Sequence, residues 1–301
     1  MSIIRRISGR LYKSVLAYYD RRNDDERYLK VMFYHRLGYW PDLKHPRSFN
    51  EKLQWLKLHD HNPKYTLYAD KYAVREHIRE VLGDEYLIPL LGVYRSAAEI
   101  DFDSLPDQFV LKCNHGASYN VICTDKSRLD VDDTRKKLDQ WLSMDFYREK
   151  REYHYRDIEK RIICEKYMKD DQTAELNDYK FFCIGGKVRM IQVDFDRHTD
   201  HRRNLYDTEW NLLDVEISFP RAPELHKEPP ARLHEMIAAA EKLSAEFPQV
   251  RVDFYYINGK VFFGEMTFFS GAGFSRYNPV SFEKELGECL VLPRGDKQYA
   301  V

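Results

Sequence analysis

The chain has 301 residues, 43% of them apolar and 32% charged, with 48 Lys and Arg against 49 Asp and Glu and a formal net charge of -1. That length supports one large domain or two to three small subdomains at roughly 100–200 residues each, and it buries a core without a disulfide or metal staple. No apolar run approaches the roughly 18 residues of a membrane span, and the balanced charge gives no cationic field for nucleic acid. The cysteines Cys113, Cys123, Cys164, Cys183 and Cys289 show no CxxC spacing. They read as small buried thiols of a reducing cytosol rather than as zinc ligands or a redox dithiol.

The first predicted element is a helix over residues 3–19, where Ile4, Ile7, Leu11 and Val15 form a stripe and Arg5, Arg6, Arg10 and Lys13 supply cations. This pattern serves either docking on the protein's own body or contact with an anionic membrane surface. The basic start lacks the long apolar run of a secretory signal. Residues 24–60 read as mainly helical, broken around Tyr39-Trp40-Pro41-Asp42. A helix starts at Ser48-Phe49-Asn50-Glu51, with Ser48 or Asn50 as cap and Phe49 as a hydrophobic staple. Leu53, Trp55, Leu56 and Leu58 supply its core side. Another helix is expected over 70–82, stopped by Gly83.

The pattern then changes. A strand over 109–112 leads into a small-residue turn, Gly116-Ala117-Ser118, and is followed by a helix over 129–142 and a strand over 162–168. Segments 179–184 and 187–193 read as a hairpin about Gly185-Gly186. An amphipathic helix over 231–247 carries Leu233, Met236, Ile237, Ala240, Leu243 and Phe247 on one side. Two β-rich segments follow, 250–257 and 261–269, joined at Asn258-Gly259. Helices followed by a mix of helices and antiparallel strand pairs predict an α+β fold rather than a doubly wound parallel sheet. Neither GxGxxG nor GxxxxGK[ST] occurs.

Segment 250–273 carries most of the chemistry. Arg251, Asp253 and Tyr255 share one strand face, and Val261, Phe263, Glu265, Thr267 and Phe269 share one on the next. Register decides whether the two carboxylates meet. A two-residue Asn258-Gly259 loop places Asp253 and Glu265 on opposite faces; a three-residue Ile257-Asn258-Gly259 loop, with Gly259 as a bulge, places them together. Together they suit Mg²⁺, which takes one or two carboxylates and completes its shell with phosphate and water. Lys112 before Asn114-His115-Gly116-Ala117-Ser118 is a second candidate, a cation whose neighbouring loop amides can cap phosphate. Asp178 and Lys180, with Arg197, Arg202, Arg203 and Asn204 downstream, form a third, able to stabilise a transferring phosphoryl group. Asp194 and Asp196 form an Asp-x-Asp, the rival reading of a metal–sugar-nucleotide site.

In this order the segments resemble the ATP-grasp superfamily. Asp70-Lys71 with Arg75 is similar to its opening motif, Phe109-Val110-Leu111-Lys112 to the second ATP lysine, and Glu165-Lys166-Tyr167-Met168 to the hinge that holds adenine. Asp178-Tyr179-Lys180 resembles the Asp-x-Arg of the amino-acid ligase branch, Arg203-Asn204 its phosphate-binding Arg-x-Asn region, and Asp253 with Glu265-Met266-Thr267 the Mg²⁺ carboxylates. Phe49 to Leu56, Phe109 to Gly116, Leu176 to Phe182 and Gly264 to Phe268 resemble, more narrowly, the TupA-like ATP-grasp family of teichuronopeptide and surface-polysaccharide synthesis. Thr267 stands where the superfamily usually has Asn, and Ala117-Ser118-Tyr119 where a glycine-rich run is common.

The resemblance implies two α+β subdomains gripping ATP: a helical region over 1–68, a small subdomain over 69–160, a large one over 161–292 and a flexible tail over 293–301. It implies an ATP- and Mg²⁺-dependent carboxylate–amine ligase working through an acyl phosphate on a bacterial surface polysaccharide or its precursor. A glycosyltransferase and an ATP-grasp phosphotransferase are the alternatives. Asp253, Glu265 and Thr267 would hold Mg²⁺; Lys71, Arg75, Lys112 and Glu165 to Met168 would bind ATP; Lys180 and Arg203 would attend the γ-phosphate. The implied partners are a small carboxylate or amino acid and a glycan, nucleotide-sugar or lipid-linked acceptor, in the cytoplasm or at the inner membrane face.

Overall fold

The computed structural model describes residues 3–171, 176, 178–196 and 199–293, residues 3–8 by their backbone alone. Asn177, Arg197 and the expected tail beyond Pro293 lie outside the described residues. The chain opens with five helices: α1 (Ile3–Arg21), α2 (Asp25–Leu37), α3 (Phe49–His59), α4 (Pro63–Ala69) and α5 (Val74–Val81). Asp24 caps α2 by accepting from the Arg27 amide, and Gly38 ends it at φ 91°, the left-handed conformation glycine adopts without a Cβ penalty.

Ser48 caps α3 in a full capping box with Glu51. Asn50 does not cap. It is buried in the helix and donates to Glu283 and to the Ser275 carbonyl. Phe49 is the first helical residue rather than a staple, and its ring sits in the core. The helix expected over 70–82 starts at Val74, because Asp70 turns its carboxylate onto the Tyr72 and Ala73 amides and closes α4 instead.

The described strands form three sheets. β1 (Leu90–Tyr94), β2 (Phe109–Cys113) and β3 (Asn120–Cys123) precede α6 (Val131–Ser143) and α7 (Phe146–Lys150), and β4 (Ile162–Lys166) follows. These four strands pair antiparallel in the order β1-β4-β2-β3. The sequence-based boundary at 160/161 assigns β4 to the second unit. Its register against β2, Leu111 opposite Cys164, instead seats it inside this first sheet.

β5 (Asp178–Ile184), β6 (Lys187–Phe195), β7 (Arg202–Tyr206) and β8 (Glu216–Ile217) precede α8 (Leu233–Ser244). β9 (Gln249–Ile257), β10 (Lys260–Thr267), β11 (Tyr277–Asn278) and α9 (Val280–Cys289) complete the described chain. The second sheet runs β10-β9-β5-β6-β7, and β8 pairs with β11.

Each large sheet has one apolar face. In the first, Phe109, Leu111, Cys113, Ile162 and Cys164 pack with Leu138 of α6. In the second, Phe181, Ile191, Val252 and Phe254 pack with Met236, Ala240 and Leu243 of α8. Burying each large side chain there stabilises the fold by about 1.5–3 kcal/mol. Four of the five cysteines are buried as expected, but Cys289 is exposed.

The β9–β10 hairpin corrects the register argument. Its loop has two residues, Asn258 and Gly259, both at positive φ, and Ile257 pairs with Lys260. The parity change comes further along. Phe263 pairs with Phe254, but the next pair is Glu265 with Asp253, so Gly264 is an extra residue in β10. The bulge separates Val261 and Phe263, on the apolar face, from Glu265 and Thr267, on the polar one. Asp253 and Glu265 do share a face, through Gly264 rather than Gly259.

Candidate active site

The polar face of the second sheet is built by alternation along its five strands. Lys180 pairs with Asp253 across β5–β9 and with Gln192 across β5–β6, and Asp194 pairs with Arg203 across β6–β7. Arg251, Asp253, Glu265 and Thr267 complete the row. The Arg251 guanidinium holds Asp253 with two bonds, Nε to Oδ1 at 2.6 Å and Nη2 to Oδ2 at 2.8 Å. Nη2 also donates to Glu265 Oε1 and to Thr267 Oγ1, both at 3.0 Å. Lys180 pairs with Asp178 and lies 3.8 Å from both Asp253 and Asp194.

The first sheet supplies a different wall. Lys112 and Glu165 leave its polar face, where Lys112 Nζ reaches Glu165 Oε2 at 2.7 Å. Arg75, from the start of α5, reaches Glu165 Oε1 at 3.2 Å and the Ile88 carbonyl at 2.9 Å. Lys71 joins the walls. Its Nζ donates to the Gly116 carbonyl at 2.6 Å and lies 3.5 Å from Glu265 Oε2. Lys71, Arg75, Leu87, Lys112, Ile163, Glu165, Phe263 and Gly264 line one cleft.

Buried Asn114 fixes the Lys71 turn. It donates to Asp70 at 2.8 Å and to the Glu159 carbonyl, and accepts from the Arg161 amide. The predicted phosphate loop is thus largely structural up to Gly116. Asn114, His115 and Gly116 are buried, and only Ala117 and Ser118 at the β2–β3 tip are exposed.

The two central carboxylates shift in opposite directions. Burial pushes Glu265 up, but Lys71, Arg251 and Lys180 outweigh it and bring it down to about 2. Asp253 is raised: its desolvation outweighs Arg251 and Lys180, with Glu265 adding like-charge repulsion. Desolvation lowers Arg251, and the surrounding Asp253 and Glu265 more than reverse it.

Among the predicted site residues, Lys71, Lys180, Asp253, Glu265 and Thr267 come together, as do Arg75, Lys112 and Glu165. Arg203 stands further along the sheet, bonded through Nε to Asp194 at 2.7 Å. Lys166 ends β4, its amide donating to the Pro89 carbonyl at 2.9 Å, and Tyr167 and Met168 follow outside the strand.

Asp194 is engaged by Arg203, by Gln192 at 2.9 Å and by His201 at 3.2 Å, while Asp196 follows the end of β6, exposed and at φ 48°. The Asp-x-Asp does not form a joint metal cradle. Sequence reasoning did not single out Gln192 and His201, nor Arg251 as the residue that locks both carboxylates. Period-two alternation along β6 was the available signal for Gln192, but only the strand order places β6 beside β5.

No group of three or more His, Cys, Asp or Glu converges on a metal position among the described residues. The donors that do converge, two carboxylates and the Thr267 hydroxyl, are all oxygen, the set a hard divalent cation takes when phosphate and water complete its shell. In that restricted sense the residues fit Mg²⁺.

The family model for the TupA-like ATP-grasp matches residues 51–291. The chain belongs to the TupA-like ATP-grasp family. No functionally curated protein matches it. Among solved structures, a D-alanine–D-alanine ligase from Bacillus anthracis is similar at 16% identity and TM-score 0.40, over 67% of this chain and 57% of that one. The corresponding Helicobacter pylori ligase is similar at 16% identity and TM-score 0.39, over 75% and 62%. The ATP-grasp ligase PsnB, solved with a precursor variant, Mg and ADP, is similar at 10% identity and TM-score 0.42, over 76% and 59%. The TupA-like chain thus spans less than two thirds of the length of each. The α+β class expected from the order of elements agrees with the antiparallel sheets and their helices.

Proposed function

We propose that this TupA-like ATP-grasp protein is a carboxylate–amine ligase that uses ATP and Mg²⁺ to modify a bacterial surface polysaccharide or its precursor. The observation that carries the reading is the pairing of Asp253 with Glu265 on one face, with Lys71 3.5 Å from Glu265 and Lys180 3.8 Å from Asp253. Arg75 and Lys112 line a cleft with that same Lys71. Phosphates would meet the lysines and arginines, and the carboxylates would hold the cation that accompanies them. Bound there, Mg²⁺ supplies neutralisation of phosphate charge.

In this reading Lys71 and Lys112 hold the α- and β-phosphates, Lys180 and Arg203 orient the γ-phosphate, and Arg75 anchors Glu165. Glu165 to Met168 frame adenine and ribose. Arg251 keeps Asp253 and Glu265 in register, and Thr267 fixes the Glu265 orientation through its hydroxyl. The two sheets act as the jaws that grip the nucleotide.

A substrate carboxylate oxygen attacks the γ-phosphorus, the bond to the β-phosphate oxygen breaks, and ADP leaves an acyl phosphate. A neutral amine then attacks the acyl carbon, the carbon–oxygen bond breaks, phosphate departs and the amine proton goes to solvent. Positioning and charge stabilisation supply the rate, and no side-chain nucleophile is required. The acceptor is a glycan, nucleotide-sugar or lipid-linked precursor, met in the cytoplasm where ATP is supplied.

Calorimetric titration with a non-hydrolysable ATP analogue tests the reading. The expected result is Mg²⁺-dependent binding that the Asp253→Asn/Glu265→Gln double variant loses. A folded wild-type protein that ignores the analogue would sink it. Phosphate retained on the acceptor, with no amide formed, would replace the ligase by a phosphotransferase.

A further inference from the structure

The α1–α2 hairpin carries features that nucleotide chemistry does not use. Residues 1–19 hold Arg5, Arg6, Arg10 and Lys13 and no acid, in a chain of formal net charge -1, so the remainder is net acidic. The hairpin is fastened at its turn. Buried Arg151 pairs with Asp20 at 2.5 Å and with Asp25 at 2.8 Å, and its guanidinium lies over the Tyr28 ring. Tyr12 stacks on His35 at 3.8 Å, which sets α1 alongside the C-terminal part of α2.

The far end of the hairpin therefore gathers the cationic part of α1 and the aromatic segment that follows α2. There Trp40 is 60% exposed and stacks on Tyr34, itself 46% exposed, at 4.7 Å. Leu11, next to Tyr12, is 64% exposed between Arg10 and Tyr12. Arg276 donates to the Arg36 carbonyl at 2.6 Å and holds the end of α2 against the body. The patch is thus displayed on a fixed support rather than on a free tail.

Two independent properties point to the same partner. An excess of cations over a short segment is attracted to an anionic lipid surface, at about 1 kcal/mol per Lys or Arg near it. Exposed Trp and Tyr are the residue types whose amphipathic rings settle at headgroup level. Among the described residues no helix is long and apolar enough to cross a membrane, so contact at this end is peripheral.

We propose that the far end of the α1–α2 hairpin docks on an anionic lipid bilayer. Trp40, Tyr34 and Leu11 enter the headgroup layer, and Arg10 and Lys13 meet lipid phosphates. The inference does not depend on the ligase reading.

Flotation of the full chain with phosphatidylcholine vesicles, with and without phosphatidylglycerol, at low and high salt tests it. Binding is expected only with phosphatidylglycerol and falls as salt rises. Arg10→Ala/Lys13→Ala lowers the partition coefficient roughly 20- to 30-fold, the effect of two cations at about 1 kcal/mol each. Leu11→Ser and Trp40→Ser each lower it severalfold, with the melting temperature and binding of the ATP analogue unchanged. Equal binding to neutral vesicles, or no binding to anionic ones by folded chain, overturns the proposal. So does a wild-type dimer that Trp40→Ser dissociates, which would assign the face to a second copy.

Discussion

The two large sheets are built alike and charged differently. Each packs an apolar face on a helix and turns a polar face away from it. On the first sheet the polar face brings Lys112 and, through Glu165, Arg75 together around one carboxylate. On the second, Asp178, Asp194, Asp253 and Glu265 surround Lys180, Arg203 and Arg251. One wall is short of anions and the other is rich in them. A polyphosphate with a divalent cation needs both kinds of charge; the second sheet carries both, and the first adds cations.

Deleting Gly264 breaks this comparison most severely. Without the extra residue, Glu265 and Thr267 turn to the apolar face and a carboxylate meets the core. Stability is expected to fall by about 3 kcal/mol or more, and nucleotide-analogue binding to vanish. Denaturant melts and calorimetry measure both. A variant that still binds would show that Glu265 has no part in the site.

The next largest effect contrasts the two walls. Asp253→Asn removes the bidentate partner of Arg251, whose side chain is 13% exposed, and breaking a largely buried pair from one side costs about 3–5 kcal/mol. Lys112→Met leaves Glu165 its bond to Arg75 and is expected to cost about 1 kcal/mol or less, while weakening nucleotide binding at least tenfold. Urea melts that rank the two variants the other way would refute the assignment of the tighter network to the second sheet.

The opposite shifts of the central acids sharpen the contrast through pH. Glu265, lowered to about 2, contributes stability that is present above its ordinary value of about 4.5 and is lost as pH falls toward 2. Asp253 is raised, so its contribution has the other sign and is lost as pH rises through its folded value. Melting temperatures of wild type and Glu265→Gln should differ by a constant amount above about pH 5 and converge between about pH 4 and 2. Curves that stay parallel through that interval would contradict the depressed carboxylate.

The smallest expected effect is at Asp196. Exposed beyond the end of β6, it can be changed to Asn with ATP turnover within about twofold of wild type. A large loss there would revive the sugar-nucleotide reading of the Asp-x-Asp.

Much of this arrangement was legible in residue order. Period-two alternation places Arg251 and Asp253 together, and Ser48 with Glu51 marks the start of α3. The capping box is a local event, so local sequence suffices. What escaped was set by partners distant in the chain. Lys57 sits in α3 between Leu56 and Leu58, is 3% exposed and donates to Gln54, to the Lys150 carbonyl and to the Ala272 carbonyl. Burial brings its pKa down to about 7. Only the fold brings residues 150 and 272 to that amine. The placement of β4 failed for the same reason, since pairing with β1 and β2 is not written in β4 itself. The hairpin register failed differently. Both glycines were visible, and the sequence did not say which one held the extra residue.

That extra residue divides β10 into two stretches with opposite reading frames. Before Gly264, odd-numbered positions point inward; after it, Met266 points inward and the odd positions outward. A Cβ on Gly264 would come within 3.0 Å of the Asp253 carbonyl oxygen, so a larger residue presses on the β9 backbone, which must give by a few tenths of an ångström where the frames meet. For anyone randomising this strand to change what the protein accepts, one hydrophobic template will not serve. The tip and the base of β10 require complementary libraries, joined at a position that must be left alone.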